Sequence, residues 1–250
     1  MKSLAALVTV LLVAAHAEAA SSTDDRLDAA EAHAVQGDAD SAVKAYEALL
    51  DDGVDFAELR YNLGTLHLAR GELGRAVLHL RTALKRDPAH EDAAHNLEVA
   101  LAAREDRVIG TDLEPALGDR VASWLPGDAA AWALLGLWLA LSLVVGAVPW
   151  LPTRGRGAAS AIAVVLVVGS LAAGAVVVAR ATVLARTEAV VLDDEVEAKV
   201  APDPSAAASF TAHVGLYGVV LEEEAGFCRV RLDNGLDAWI PKAALGFVGE

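Results

Sequence analysis

Two uncharged apolar runs constrain this chain more than any other feature. The first, Ala129 to Leu151, reads AAAWALLGLWLALSLVVGAVPWL; the second, Ala158 to Ala179, reads AASAIAVVLVVGSLAAGAVVVA. About 20 apolar residues, rising roughly 1.5 Å each, cross a hydrocarbon core of about 30 Å. Both runs meet that length, and only residues 152–157, Pro-Thr-Arg-Gly-Arg-Gly, separate them. The expectation is a transmembrane helical hairpin: helices at 129–151 and 158–179, a loop at 152–157, and both flanking segments on one side of the membrane. A helix buried in a large soluble protein is also apolar all round. Here the remaining segments are too small and too polar to wrap two such helices, and every Asp and Glu lies outside the runs.

The chain is 55% hydrophobic, yet its formal net charge is -15. The apolar excess sits in the two runs and at the N-terminus, and the rest reads as acidic soluble segments. Nucleic-acid binding needs clustered Lys and Arg to meet phosphates, so an acidic exterior argues against it. The same charge argues against docking on anionic lipid. No soluble segment exceeds about 120 residues, so each holds only a small core. The single cysteine, Cys228, excludes an intramolecular disulfide and a thiolate zinc site. It lies in an alternating stretch with Val230 and Leu232 on its face, as a small buried hydrophobe rather than a reactive thiol.

Residues 1–19 read as a secretory signal: Lys2 in the n-region, LAALVTVLLVAA as the apolar h-region, and Ala17 and Ala19 around a cleavage site. An exported segment from Ala20 would leave the loop cytoplasmic, where Arg154 and Arg156 obey the positive-inside rule. The expected location is a bacterial inner membrane, with both soluble parts periplasmic.

Residues 20–104 carry a repeat. Gly37 aligns with Gly71, Ala42 with Ala76, His33 with His67, Tyr46 with Leu80, and Leu50 with Leu84, each at an offset of 34, the tetratricopeptide period. The copy AELRYNLGTLHLARGELGRAVLHLRTALKRDPAH resembles the tetratricopeptide family, with Leu63-Gly64, Gly71, Ala76, Ala83 and Pro88 at its consensus places. Gly64 and Ala76 are small where two helices must cross, and Asp87-Pro88 ends the second helix. The first copy, from about Thr23 to Val54, is degenerate and stops at Asp51-Asp52-Gly53. A solvating cap helix starts at Glu91 and ends near Arg104.

Such an array has no catalytic machinery; it holds a peptide or partner helix in its concave face. Residues three and four apart share a helix face, so Glu58, Tyr61, Asn62, Thr65 and Leu68 form one stripe that Asp92 and Asn96 continue. Asn62 and Asn96 match the asparagines of the family's carboxylate-clamp subset, but Glu58 and Asp92 stand where a clamp has lysine. The expected partner is therefore a helical or extended segment bearing Lys or Arg, not a free carboxylate. Ordinary consensus packing is the plainer role for both asparagines.

A juxtamembrane linker, 105–128, contains Pro115, Pro126 and Trp124. Gly169, Ser170, Ala173 and Gly174 give the second apolar helix a small-residue face for close packing. From Thr187 the texture becomes about five short strands, with Asp233-Asn234-Gly235 as a hairpin turn. Residues 187–250 resemble the bacterial SH3-like domain through the Gly215 turn, the hairpin CRVRLDNGLDAWI and the closing Ala244-Leu245. That resemblance implies a small β-barrel binding wall peptides or proteins, with Phe227 and Trp239 either its ligand face or its core and rim. Glu222-Glu223-Glu224 reads as a solvated acidic tip at a turn.

The whole order of signal, repeats, two spans and SH3-like barrel resembles the BatE family of the bacterial aerotolerance (Bat) operon. The resemblance implies a scaffold in an inner-membrane complex with von Willebrand A-domain proteins and a MoxR-type ATPase, linked to envelope stress tolerance. The alternative is a wall sensor whose barrel binds peptidoglycan. No Cys-His or Ser-His-Asp arrangement stands out among the scattered histidines, so neither enzyme activity nor a metal or cofactor is expected.

Overall fold

The computed structural model describes residues 23–106, 129–232 and 235–250. The signal, nearly all of the linker, and Asp233 and Asn234 of the hairpin turn lie outside them. The described chain forms two compact units. One holds the repeats and the C-terminal strands; the other holds the two apolar helices.

The repeats are two antiparallel helix pairs and a cap. They comprise α1 (helical residues 23–35), α2 (Ala39–Asp51), α3 (Ala57–Ala69), α4 (Leu73–Arg86) and α5 (Glu91–Ala102). The expected stops hold. Asp52 caps the end of α2, and Asp87, just before Pro88, caps the end of α4. Gly37 and Gly71, one period apart, both have φ near +80°, the left-handed turn that glycine adopts without penalty. A Cβ on Gly64 would lie 2.6 Å from Leu80 Cγ and 3.1 Å from its backbone nitrogen, so α3 and α4 touch almost backbone to backbone. Tyr46 and Leu80, equivalent in the repeat, are both buried core residues.

The C-terminal strands are β1 (Glu188–Val191), β2 (Glu195–Lys199), β3 (Ala208–His213), β4 (Tyr217–Glu224), β5 (Phe227–Leu232), β6 (Asp237–Pro241) and β7 (Leu245–Phe247). They form a seven-stranded sheet in the order β3-β2-β6-β5-β4-β1-β7, antiparallel wherever the register is defined. This corrects the expected closed barrel: the sheet is open, with β3 and β7 at its edges, and both strands were missed in the sequence. β7 is three residues long, and β3 follows Pro202 and Pro204, so neither offers a long alternation to read. The acidic tip is also corrected. Glu222, Glu223 and Glu224 lie inside β4 opposite Arg229, Cys228 and Phe227. Glu222 pairs with Arg229 and Glu223 with Lys242. The turn falls one step later, at Ala225 and Gly226, both with positive φ. Cys228 is buried among Val230, Leu232 and Ile240, as its alternation implied.

Repeats and sheet share a core. Val190 and Val248 from the strand region cluster with Val77, Leu80 and Ala83 of α4 and Leu97 of α5. A Cβ on Gly74 would fall 2.9 Å from the carbonyl oxygen of Val191, so α4 lies directly on β1. The Arg81 guanidinium sits 3.9 Å above the Tyr217 ring, and that of Arg104 lies 5.5 Å from its centroid, a cation–π arrangement. Lys85 Nζ donates to the Val248 carbonyl at 3.2 Å, and Thr82 Oγ1 accepts from Gly249 N–H at 3.2 Å. Asp106, just past the cap helix, accepts from His213 N–H and pairs with its Nδ1, both at 2.8 Å.

The second unit holds α6 (Ala129–Ala147), a 3₁₀ turn (Val148–Trp150) and α7 (Thr153–Leu184). The segments Ala131–Trp150 and Thr153–Ala179 are long and apolar enough to cross a membrane, and the protein buries none of their most apolar stretch. Helix α7 starts earlier than the apolar run, so Arg154 and Arg156 lie in its first turn. Gly169 meets Leu137 of α6 at van der Waals distance, whereas Gly174 faces open space. Of the small residues these two glycines thus divide: one serves the packing and the other does not.

Candidate functional site

Helices α1, α2 and α3 enclose a cleft of about 500 Å³, lined by Glu31, Ala34, Val35, Tyr46, Glu58, Tyr61, Asn62, Thr65 and Leu66. Four residues of the expected stripe, Glu58, Tyr61, Asn62 and Thr65, line it together. Each is held by a neighbour. Asn62 Nδ2 donates to the Tyr46 hydroxyl at 3.2 Å, and Asn96 Nδ2 donates to Thr65 Oγ1 at 2.9 Å. His90 Nδ1 accepts from Ala93 N–H, capping α5. Its Nε2 therefore carries the proton and donates to Glu58 at 3.2 Å, while its ring packs 4.7 Å from Tyr61. Both asparagines are thus tied into interhelical bonds, the packing role read for them in the sequence.

The other stripe residues part company. Leu68 packs into the core between α4, α5 and the sheet and does not line the cleft, whereas Leu66 does. Position 68 lies far enough round α3 to lean toward α5. Asp92 is exposed at the start of α5, outside the cleft lining. The stripe therefore breaks at Asn96 rather than running on to Asp92. Val35 and Glu31 were missed: they sit on the degenerate first repeat, where no consensus marks a groove face. Tyr46 was read only as a repeat position. Phe227 and Trp239 are buried, 6% and 8% exposed, with Arg229 over the Trp239 ring, so they form core and rim rather than an open aromatic platform.

A polar cluster with a buried centre joins α3 and α4. Arg60 makes a bidentate pair with Asp55 at 2.9 and 2.8 Å, meets His79 Nδ1 at 3.3 Å, and donates to the Glu250 main-chain oxygen at 2.7 Å. Arg86 also bonds Asp55. The His79 ring stacks on His67 at 5.3 Å. Burial, then the positive charges nearby, push the His79 pKa down to about 3, so it is a neutral imidazole. Burial likewise lowers His67, against the opposing pull of Glu72 at 2.6 Å. The repeat is visible here too: His33 and Asp38 stand one period before His67 and Glu72 and make the looser pair, 3.7 Å. A second cleft, about 530 Å³, is lined by Lys44, Arg70, Glu72, Arg75, Leu192 and Asp194 among others. Its charges are of both signs, and Arg70 is already paired with Asp40 and Glu72. Among the described residues no cluster of His, Cys, Asp or Glu is placed to hold a metal.

Residues 27–91 match the tetratricopeptide repeat family. The match begins within α1 and closes on the first residue of α5, so it covers both helix pairs. No curated protein and no solved structure matches the chain. Tetratricopeptide repeats generally mediate protein–protein interaction.

Proposed function

We propose that this protein is a non-enzymatic, membrane-anchored scaffold whose repeats hold a segment of a protein partner in the cleft of α1, α2 and α3. One observation carries the reading. The C-terminal sheet packs on α4 and α5, and among the described residues no strand residue lines the cleft, which stays open. The sheet then acts as a brace, and the cleft is the free recognition surface.

The anchor is the pair α6 and α7. Nineteen residues of α6 span roughly 28 Å, close to a hydrocarbon core, and large apolar side chains such as Trp132, Leu143 and Trp150 stand exposed as lipid contacts would. With residues 1–19 as an export signal, both soluble segments face the periplasm of an inner membrane. The SH3-like resemblance and the Bat-type assembly, with von Willebrand A-domain proteins and through them a MoxR-type ATPase, belong to the same proposal and rest on the sequence resemblance. A peptidoglycan-binding platform at Phe227 and Trp239 draws no support from their burial.

The test is a pull-down with full-length protein in detergent, comparing wild type with a Glu31→Lys, Glu58→Lys double variant at low and high salt. Charge steering predicts that the variant loses partners at low salt and that high salt weakens wild-type capture. Equal yields at low salt would move binding away from the repeats.

A further inference from the structure

The cleft brings together two carboxylates that the sequence keeps apart. Glu31 comes from α1 in the first repeat and Glu58 from α3 in the second. Both bear on one group, the Tyr46 hydroxyl: burial raises its pKa first, then Glu31, with Glu58 adding a smaller push. Both carboxylates line the cleft from exposed positions around the buried Tyr46. Glu58 meets the His90 ring nitrogen, and Glu31 has no basic partner among the described residues. Among the described residues no Lys or Arg lines the cleft. Its wall is apolar: Ala34, Leu66 and Val35, the last 88% exposed.

Two exposed carboxylates beside an apolar wall match one kind of side chain. Lys and Arg lay an aliphatic stem along apolar surface and deliver a cation at its end. A carboxylate or an all-apolar anchor would leave Glu31 and Glu58 repelled or desolvated without compensation. We propose that the cleft receives one Lys or Arg side chain of the partner segment, its stem on Ala34, Val35 and Leu66 and its cation between Glu31 and Glu58. This rests on the reading that the repeats hold a partner segment; it adds the residue that is read and the residues that read it.

The experiment uses full-length protein in detergent on arrayed peptides with randomised flanks and a fixed central Lys, Arg, Glu or norleucine. Three proteins are compared: wild type, Glu31→Gln with Glu58→Gln, and Val35→Trp, which fills the cleft from an exposed position. Wild type should favour the Lys- and Arg-centred sets over norleucine by about tenfold. The glutamine pair should abolish that preference without shifting the thermal melt, and Val35→Trp should abolish capture. If Val35→Trp abolishes capture but wild type does not prefer a basic centre, or keeps its preference in the glutamine variant, the basic-side-chain assignment is overturned and the groove stands. If no peptide set shows capture that Val35→Trp removes, the groove reading falls with it.

Discussion

At the scale of single residues, two positions decide how tightly the repeats close. Gly64 faces Leu80 with no room for a Cβ, and Leu80 is itself fully buried. Gly64→Ala should destabilise the soluble unit by roughly 1–3 kcal/mol, and Gly64→Leu by more. A thermal melt of the full-length protein reads this, and an unchanged midpoint would show that Leu80 can move aside. His79 governs acid behaviour. Its folded pKa, about 3, lies below the ordinary histidine value of 6.5, so between those values the unfolded chain binds the extra proton. Stability should therefore fall as pH drops through this window, by at most about 1.4 kcal/mol per pH unit from this residue. The salt-bridged Asp55 and Glu72, both held below their ordinary values, act in the same direction at lower pH. A His79→Gln variant should show a shallower loss between pH 6 and 4.5 in a denaturant titration. An identical slope would mean that His79 is not the group taking up the proton.

At the scale of elements, the joint between repeats and sheet is the feature that most shapes the molecule. Helix α4 presents Leu78, Arg81, Thr82 and Lys85 to the strands and their C-terminal extension. Tyr217→Ala removes the ring on which Arg81 and Arg104 converge, a contact of about 0.5–2 kcal/mol beyond buried area. The expected result is lower hydrogen-exchange protection in both α4 and β4. Loss confined to β4 would show that the two modules open independently. The Asp106–His213 pair adds a pH dependence of opposite sign to His79. The hydrogen bond that His213 donates to Asp106 raises the His213 pKa, with the charges of Glu105 and Glu195 adding to it. Its contribution is fully present below the ordinary histidine value and is lost as pH rises through the raised one. Protection of the His213 amide, corrected for intrinsic exchange, should thus decline across that range in wild type and be low and flat in Asp106→Asn.

At the scale of the whole molecule, the prediction is topological. Single cysteines at Ser21, Thr153 and Glu250, probed with an impermeant thiol reagent on intact cells, should label at 21 and 250 but not at 153. The reverse pattern would invert the protein in the membrane. The native cysteine is a convenient silent background. Cys228 is fully buried, and burial, then Glu223, push its thiol pKa up, so little thiolate is exposed to react.

Much of this architecture is local and therefore legible in the sequence. Repeat period, helix stops at Asp51-Asp52-Gly53 and Asp87-Pro88, the two apolar helices and the burial of Cys228 each follow from spacing or backbone chemistry within a few residues. Four of the nine residues lining the cleft were legible for the same reason: Glu58, Tyr61, Asn62 and Thr65 share a face of one helix. What only the tertiary structure decided involves partners far apart in the chain. Glu31 joins Glu58 because two repeats stack. Leu68 turns inward because α5 and the sheet are there to receive it. His67 meets His79 because α3 and α4 cross at Gly64. The sheet lies on α4 because Gly74, with no side chain, lets β1 approach. None of these pairings leaves a periodic trace, since each depends on where a separate element comes to rest.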